Sequence, residues 1–236
     1  MSPEMIGPLR VHSAGGSDRR GGGDGPAILL CHGFGAPGDD LVSLARVIDA
    51  GPSVRWFFPE APLSIPGAGR AWWPLDMARI QQMMMRGDPR ALAEETPPGL
   101  AKAREALEAT IAALETERGV ARDKLILGGF SQGAMLTTEI AIHAERPFAG
   151  LAALSGNLLS ADRWIEAAAR SGPSIHAFIA HGRRDPVLPF AGAEALRAML
   201  EEAGASVDWV AHGGQHEIPP PVVTGLAAFA RRRFSA

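Results

Sequence analysis

The chain has 236 residues, a net charge of −3 and one cysteine, Cys31. That length suits a single domain, residues 1–236, with a sizeable buried core. The mild charge argues against a broad surface for nucleic acid, one cysteine excludes an internal disulfide, and no run of about 18 apolar residues offers a membrane span. The N-terminus lacks an apolar signal core, so a cytoplasmic protein without stable membrane insertion is expected. The chain has no tyrosine, so a tyrosine general acid or base is excluded.

Leu9-Arg10-Val11-His12 reads as an edge strand. Ser13 to Pro26, with Gly21-Gly22-Gly23 in its middle, reads as a flexible loop or wide turn. Ala27-Ile28-Leu29-Leu30-Cys31 is a continuous apolar run, the pattern of a central buried strand. It runs into His32-Gly33-Phe34-Gly35, whose small residues let a main-chain N–H turn toward a nucleophile. The Phe34 N–H is the candidate oxyanion donor there; His32 reads as a brace for the loop and Cys31 as buried and inert. Leu41, Leu44, Ala45 and Ile48 have helical spacing, which predicts a helix over residues 39–48 with Asp39 and Asp40 in its first turn.

Val54 to Phe58 predicts a strand that ends at Pro59. Residues 61–99 form a long stretch without clear periodicity, and such stretches inside a domain are usually functional. Trp72, Trp73, Leu75 and Met77, with Met83-Met84-Met85, suggest an apolar, lid-like wall for substrate. Local packing, or contact between two copies in a homodimer, is the competing use of the same residues.

Leu100 to Glu117 carries Leu100, Ala103, Leu107, Ile111 and Leu114 on one helical face. Next come a short apolar strand, Lys124 to Gly128, then Gly129-Phe130-Ser131-Gln132-Gly133, then a helix from Ala134 to Ala141. Strand, sharp turn and helix around G-x-S-x-G is the context in which that motif presents a serine nucleophile. Small residues two before and two after the serine let strand and helix backbones pack closely. The helix aims its N-terminal N–H groups at the site, and the Gln132 N–H is the second candidate oxyanion donor.

A nucleophilic serine of this kind requires an acid and then a histidine later in the chain. Phe148 to Gly156 is a further buried strand, Trp164 to Ser171 a short helix, and Ile175 to Ala180 another strand. That strand leads into His181-Gly182-Arg183-Arg184-Asp185-Pro186-Val187-Leu188-Pro189. Asp185, past a strand end on a proline-stiffened loop, is the better acid than Asp208, which lies inside the strand Val207–Ala211. Arg183 and Arg184 read as solvated loop charges. A helix spans Ala191 to Ala203, and another runs from about Pro221 to Arg233. Between the last strand and last helix, His216 follows Gly213-Gly214-Gln215 and is better placed as a base than His212.

Leu30-Cys31-His32-Gly33-Phe34-Gly35, the G-F-S-Q-G elbow and the H-G-x-x-D-P-V-x-P loop together resemble the acyl-protein thioesterase/carboxylesterase (phospholipase/carboxylesterase) family. The resemblance runs from about residue 27 to the C-terminus. It implies an α/β-hydrolase fold with a mainly parallel central sheet, helices on both faces and no large cap domain. It also implies a Ser131–His216–Asp185 triad, no cofactor, and hydrolysis of carboxylic esters or thioesters. Ala134 stands where the family often has a second glycine, and Trp72-Trp73-Pro74-Leu75-Asp76 is an altered form of the family's aromatic loop motif.

The expected chemistry is acyl transfer to water through an acyl-enzyme, on small to medium acyl or aryl esters. Phospholipase, lysophospholipase or acyl-peptide hydrolase activity is the enzymatic alternative. A catalytically idle scaffold that binds a lipid or protein partner is the non-enzymatic one. No H-E-x-x-H spacing occurs, which disfavours a metal hydrolase.

Overall fold

The computed structural model describes residues 2–76, 91–94 and 96–235. Its centre is an eight-stranded sheet in the order β1-β2-β4-β3-β7-β8-β9-β10. The strands are β1 (Glu4–Ile6), β2 (Leu9–Gly15), β3 (Ala27–Cys31), β4 (Arg55–Pro59), β7 (Leu125–Phe130), β8 (Gly150–Leu154), β9 (His176–Gly182) and β10 (Ser206–His212). From β4 to β10 every neighbouring pair is parallel, and β1 and β2 add an antiparallel hairpin at one edge. Outside this sheet, β5 (Leu63–Ile65) and β6 (Gly69–Ala71) form an antiparallel pair.

The apolar runs are explained by burial on both faces. In β3, Ile28 and Leu30 enter one core, while Ala27, Leu29 and Cys31 enter the other. The same alternation divides Ile126 from Leu125 and Leu127, and Phe178 from Ala177 and Ile179. The helices are α1 (Leu44–Val47), α2 (Ala91–Glu94), α3 (Leu100–Arg118), α4 (Gln132–His143), α5 (Ala161–Ser171), α6 (Phe190–Glu202) and α7 (Pro220–Phe234). Leu107 and Ile111 of α3, Leu136 and Ile140 of α4, Trp164 of α5 and Leu196 of α6 share one core. Val222, Leu226 and Phe229 of α7 share the other. Helices therefore cover both faces, as expected for an α/β-hydrolase, and α4 is buried along nearly its whole length.

Two local expectations change. The predicted helix over 39–48 is mostly a series of four-residue turns, with Val42 N–H on Asp39 O and Leu44 N–H on Leu41 O. Only Leu44–Val47 is helical, so Asp39 and Asp40 lie outside any helix. The strand predicted at Leu9–His12 continues to Gly15 and pairs on both sides, so β1 is the edge. The glycine-rich loop behind it is organised by Asp18, whose Oδ1 accepts the N–H groups of Arg20 at 2.7 Å and Gly22 at 2.9 Å.

A parallel sheet places the C-terminal ends of its strands along one edge. The loops after β3, β7, β9 and β10 carry Phe34, Ser131, Asp185 and His216 respectively. Residues distant in sequence thus converge on that one edge, the usual ligand-binding edge of an open α/β sheet. No helix among the described residues is long and apolar enough to cross a membrane.

Candidate active site

Ser131 sits between β7 and α4 with φ 54° and ψ −117°. A non-glycine residue with positive φ stores about 1–3 kcal/mol of strain unless its surroundings enforce it. Here the Ser131 N–H donates to Leu154 O at 2.9 Å, and its carbonyl accepts the Met135 N–H at 3.1 Å. A side chain at Gly133 would collide with the carbonyl of Cys31, and one at Gly129 would collide with Gly133. The two glycines therefore let β3, β7 and α4 meet at the serine.

The loop after β3 passes just behind this turn. A Cβ built on Gly33 would lie 3.3 Å from the Ser131 Cβ. Among the described residues the Phe34 N–H donates to no backbone carbonyl. Gln132 is the first residue of α4, so its N–H has no acceptor within the helix. His32 braces the loop: its Nδ1 lies 2.7 Å from Gly33 O, and its Nε2 accepts the Ala61 N–H at 2.9 Å. That pattern assigns the neutral ring with the hydrogen on Nδ1. Burial favours the same state and holds the imidazole below its usual pKa against the opposing bond to Gly33. Burial raises the Asp40 carboxyl above its usual value.

The β5–β6 pair supports this loop from outside. Gly35 N–H donates to Arg70 O at 2.8 Å, and Arg70 N–H donates to Ala36 O at 2.9 Å. The Arg70 guanidinium lies 3.0 Å from Glu60, which also pairs with His12 at 3.0 Å. Trp72 and Trp73 stand behind the site surface, each 1% exposed. The Gln132 carboxamide acts on them like one rung of a sheet. Its Oε1 accepts the Trp72 N–H at 2.8 Å and its Nε2 donates to Trp73 O at 2.9 Å. Trp72 Nε1 donates to His32 O at 2.9 Å. The tryptophans are thus buried supports of this region, and Leu75, partly buried against the core, is the more accessible of the residues expected to form a wall. Met77 and Met83 to Met85 lie outside the described residues.

On the other flank, His216 Nδ1 and Asp185 Oδ2 are 2.7 Å apart. The Asp185 Oδ1 accepts the N–H groups of Val187 at 2.8 Å and Leu188 at 2.9 Å. Burial would raise this carboxyl, but the bonds from His216, Leu188 and Val187 prevail and hold it below the usual carboxylate range. The two loops are stitched by Arg183 N–H to His212 O at 2.8 Å and Arg184 N–H to Gly214 O at 3.1 Å. The His216 ring packs 4.7 Å from that of Phe130, the neighbour of Ser131.

The rivals take other places. Asp208 pairs with Arg232 on α7. His212 is buried and accepts the Gly214 N–H on Nδ1 at 3.2 Å, and its Nε2 has no partner among the described residues. Cys31 is buried, which raises its thiol pKa. Sequence reasoning missed the Gln132 side chain, whose clamp joins two segments about 60 residues apart. It also missed His181, which stands beside Asp185. Among the described residues no cluster of His, Cys, Asp or Glu is arranged to hold a metal.

Comparison with known proteins bears on the same features. The phospholipase/carboxylesterase family profile matches residues 23–232. Acyl-protein thioesterase 1 of Emericella nidulans is 26% identical over 217 residues, which cover 86% of this chain and 82% of that one. The Cryptococcus neoformans protein of the same name is 24% identical, over 75% and 74% of the two chains. Among solved structures, esterase PE8 has a TM-score of 0.77 at 24% identity and covers 95% of this chain and 98% of its own. The Bacillus cereus carboxylesterase has a TM-score of 0.73 at 20% identity, with coverages of 95% and 94%. The structural likenesses establish the fold, and the family match extends it to chemistry: the chain belongs to the phospholipase/carboxylesterase family of α/β-hydrolases and is a serine hydrolase of the carboxylic-ester type.

Proposed function

We propose that Ser131, His216 and Asp185 form the triad of this hydrolase, and that it cleaves small to medium acyl or aryl esters through an acyl-enzyme. The observation that carries the reading is the 2.7 Å contact between His216 Nδ1 and Asp185 Oδ2, on the sheet edge where Ser131 is presented. With Nδ1 committed to the carboxylate, Nε2 is the nitrogen left to exchange a proton with the serine.

In the first step His216 takes the Ser131 proton as Oγ attacks the carbonyl carbon. The oxyanion that forms is held by the Phe34 and Gln132 N–H groups, the latter at the N-terminus of α4. Collapse expels the alcohol, which His216 protonates. Water, deprotonated by the same imidazole, then attacks the acyl-enzyme, and the acid is released as His216 returns that proton to Ser131 Oγ. Asp185 stays ionised throughout, fixes the tautomer and stabilises the imidazolium. Its depressed pKa suits that role. The relatives named acyl-protein thioesterase 1 extend the expected substrates to thioesters, because the same steps expel a thiol.

The test is hydrolysis of a p-nitrophenyl ester series from acetate to a long acyl chain, with Ser131→Ala alongside. A fluorophosphonate adduct is mapped by mass spectrometry. One adduct on Ser131 and loss of about 10⁶ in kcat for Ser131→Ala are expected. Unaltered turnover in Ser131→Ala, or an adduct elsewhere, overturns the assignment.

A further inference from the structure

Asp185 lies between two histidines. His181, near the end of β9, is completely buried. Its Nε2 is 3.0 Å from Leu188 O and 3.3 Å from Asp185 Oδ2. The latter is the oxygen that His216 Nδ1 approaches. Two oxygens face His181 Nε2 and neither has a hydrogen to give, so Nε2 carries one. The other nitrogen, Nδ1, is buried and has no partner among the described residues. A hydrogen there would be a buried donor with nothing to receive it, and the ring would become a cation in a site closed to water.

Leu188 makes the arrangement a closed circuit. Its N–H holds Asp185 Oδ1, and its carbonyl receives His181 Nε2–H. His181 thus fixes the residue that fixes the acid, and it directs an N–H dipole toward the oxygen that serves His216. Phe190 closes the other side with its ring 6.1 Å from the imidazole. The ionisable groups acting on His181 are Asp185, His216 and His212. Burial has the largest effect and keeps the ring below its usual pKa.

We propose that His181 is a positioning residue of the reaction: a neutral imidazole, hydrogen on Nε2, that anchors Leu188 and thereby holds the Asp185 carboxylate in line with His216. The proposal rests on the Ser131–His216–Asp185 reading. It assigns His181 no contact with substrate. Without its N–H, the acid loop loses an anchor and Asp185 Oδ2 keeps more of its charge for His216. That charge stabilises the imidazolium, so the base becomes available only at higher pH.

Histidine-selective NMR on the full wild-type chain between pH 8 and 5 gives the first test. His181 is expected as the neutral Nε2–H tautomer throughout; a hydrogen on Nδ1, or titration in that range, overturns the proposal. The second test measures kcat, KM and the pH profile of kcat/KM for His181→Phe and His181→Gln, counting active sites with a fluorophosphonate. In His181→Phe, kcat per labelled site should fall about 10–100-fold, the worth of a hydrogen bond near a charged group. KM should hold and the acidic limb should move to higher pH. His181→Gln, which returns an N–H near the Nε2 position, should recover most of the loss. An unmoved limb, or no recovery in His181→Gln, overturns the role of His181 while labelled Ser131 leaves the triad standing. A wild type that takes no label on Ser131 overturns the triad itself. If His181→Phe does not fold, the NMR state and the His181→Gln profile decide.

Discussion

The two flanks of the site are held by different means. On the acid and histidine side, backbone N–H groups make most of the contacts that hold the acid and join the two loops: Val187 and Leu188 N–H on Asp185, Arg183 N–H on His212 O, Arg184 N–H on Gly214 O, with side chains such as His181 adding to them. On the oxyanion side, long side chains complete the support: His32 on Gly33 and Ala61, Arg70 on Glu60, Gln132 on Trp72 and Trp73. Backbone geometry survives most substitutions, whereas a side-chain brace disappears with one. The acid and histidine pair therefore sits on the flank that is harder to alter, and the loop that carries Phe34 on the one that is easier to alter.

The sharpest test of that contrast is Asp185→Asn. The amide can keep the Val187 and Leu188 contacts but no longer orients the correct His216 tautomer. A fall of about 10⁴ in kcat with little loss of stability is expected, read by steady-state kinetics and thermal unfolding. Retained activity would break the comparison at its strong side.

Gln132→Ala probes the other flank. It spares the main-chain N–H but strands the Trp72 N–H and the Trp73 carbonyl in a buried setting. Leaving such groups unpaired costs about 2–4 kcal/mol together, or a fall of about 5–15 °C in the unfolding midpoint. The chain-length profile of the esters should also change more than the rate on acetate. An unchanged midpoint would show that the clamp is not a support.

Arg70→Ala should have a smaller effect. The Arg70–Glu60 pair is partly exposed, so its loss is worth about 1 kcal/mol or less. Because the backbone bonds of Arg70 to Gly35 and Ala36 remain, a reduction in kcat/KM of no more than about 5-fold is expected. Kinetics at low and high salt would check it, since high salt should narrow the gap to wild type.

The mildest perturbation is acid. His32, His176, His181 and His212 all have pKa values lowered, chiefly by burial. Below pH 6.5 the unfolded chain takes up protons on these rings that the folded chain refuses, so stability should decline as pH falls through that value. It is fully present above it. Asp185, with a lowered carboxyl, adds a loss at still lower pH. Asp40, whose carboxyl is raised, acts in the opposite direction. Urea midpoints from pH 8 to 5 would show the decline, and a flat profile would contradict the burial of these rings.

The same contrast explains what could be read from sequence. The strands were legible because burial on both faces makes them continuous apolar runs, as in Ala27–Cys31. The elbow was legible because only small residues fit where Gly129 and Gly133 approach Cys31. Asp185 and His216 followed from their places after β9 and β10. The helix over 39–48 failed because the apolar spacing there serves tight turns as well as a helix. Trp72 and Trp73 looked like an open apolar wall because composition on a long segment does not reveal which side is buried. The pairing of Gln132 with residues 72 and 73, and of His181 with Leu188, depends on where loops cross in space, and no local pattern encodes that.

Trp72, with its ring 5.6 Å from His32 and its indole N–H on the His32 carbonyl, has an optical consequence. The chain has five tryptophans and no tyrosine, so its intrinsic ultraviolet emission comes from indoles. Trp56, Trp72, Trp73 and Trp164 are all nearly solvent-free, which sets a blue-shifted baseline. Two of those four belong to the supports of the oxyanion loop. A substitution that loosens those supports should therefore register in the emission, giving the protein a built-in reporter of their integrity that needs no attached dye.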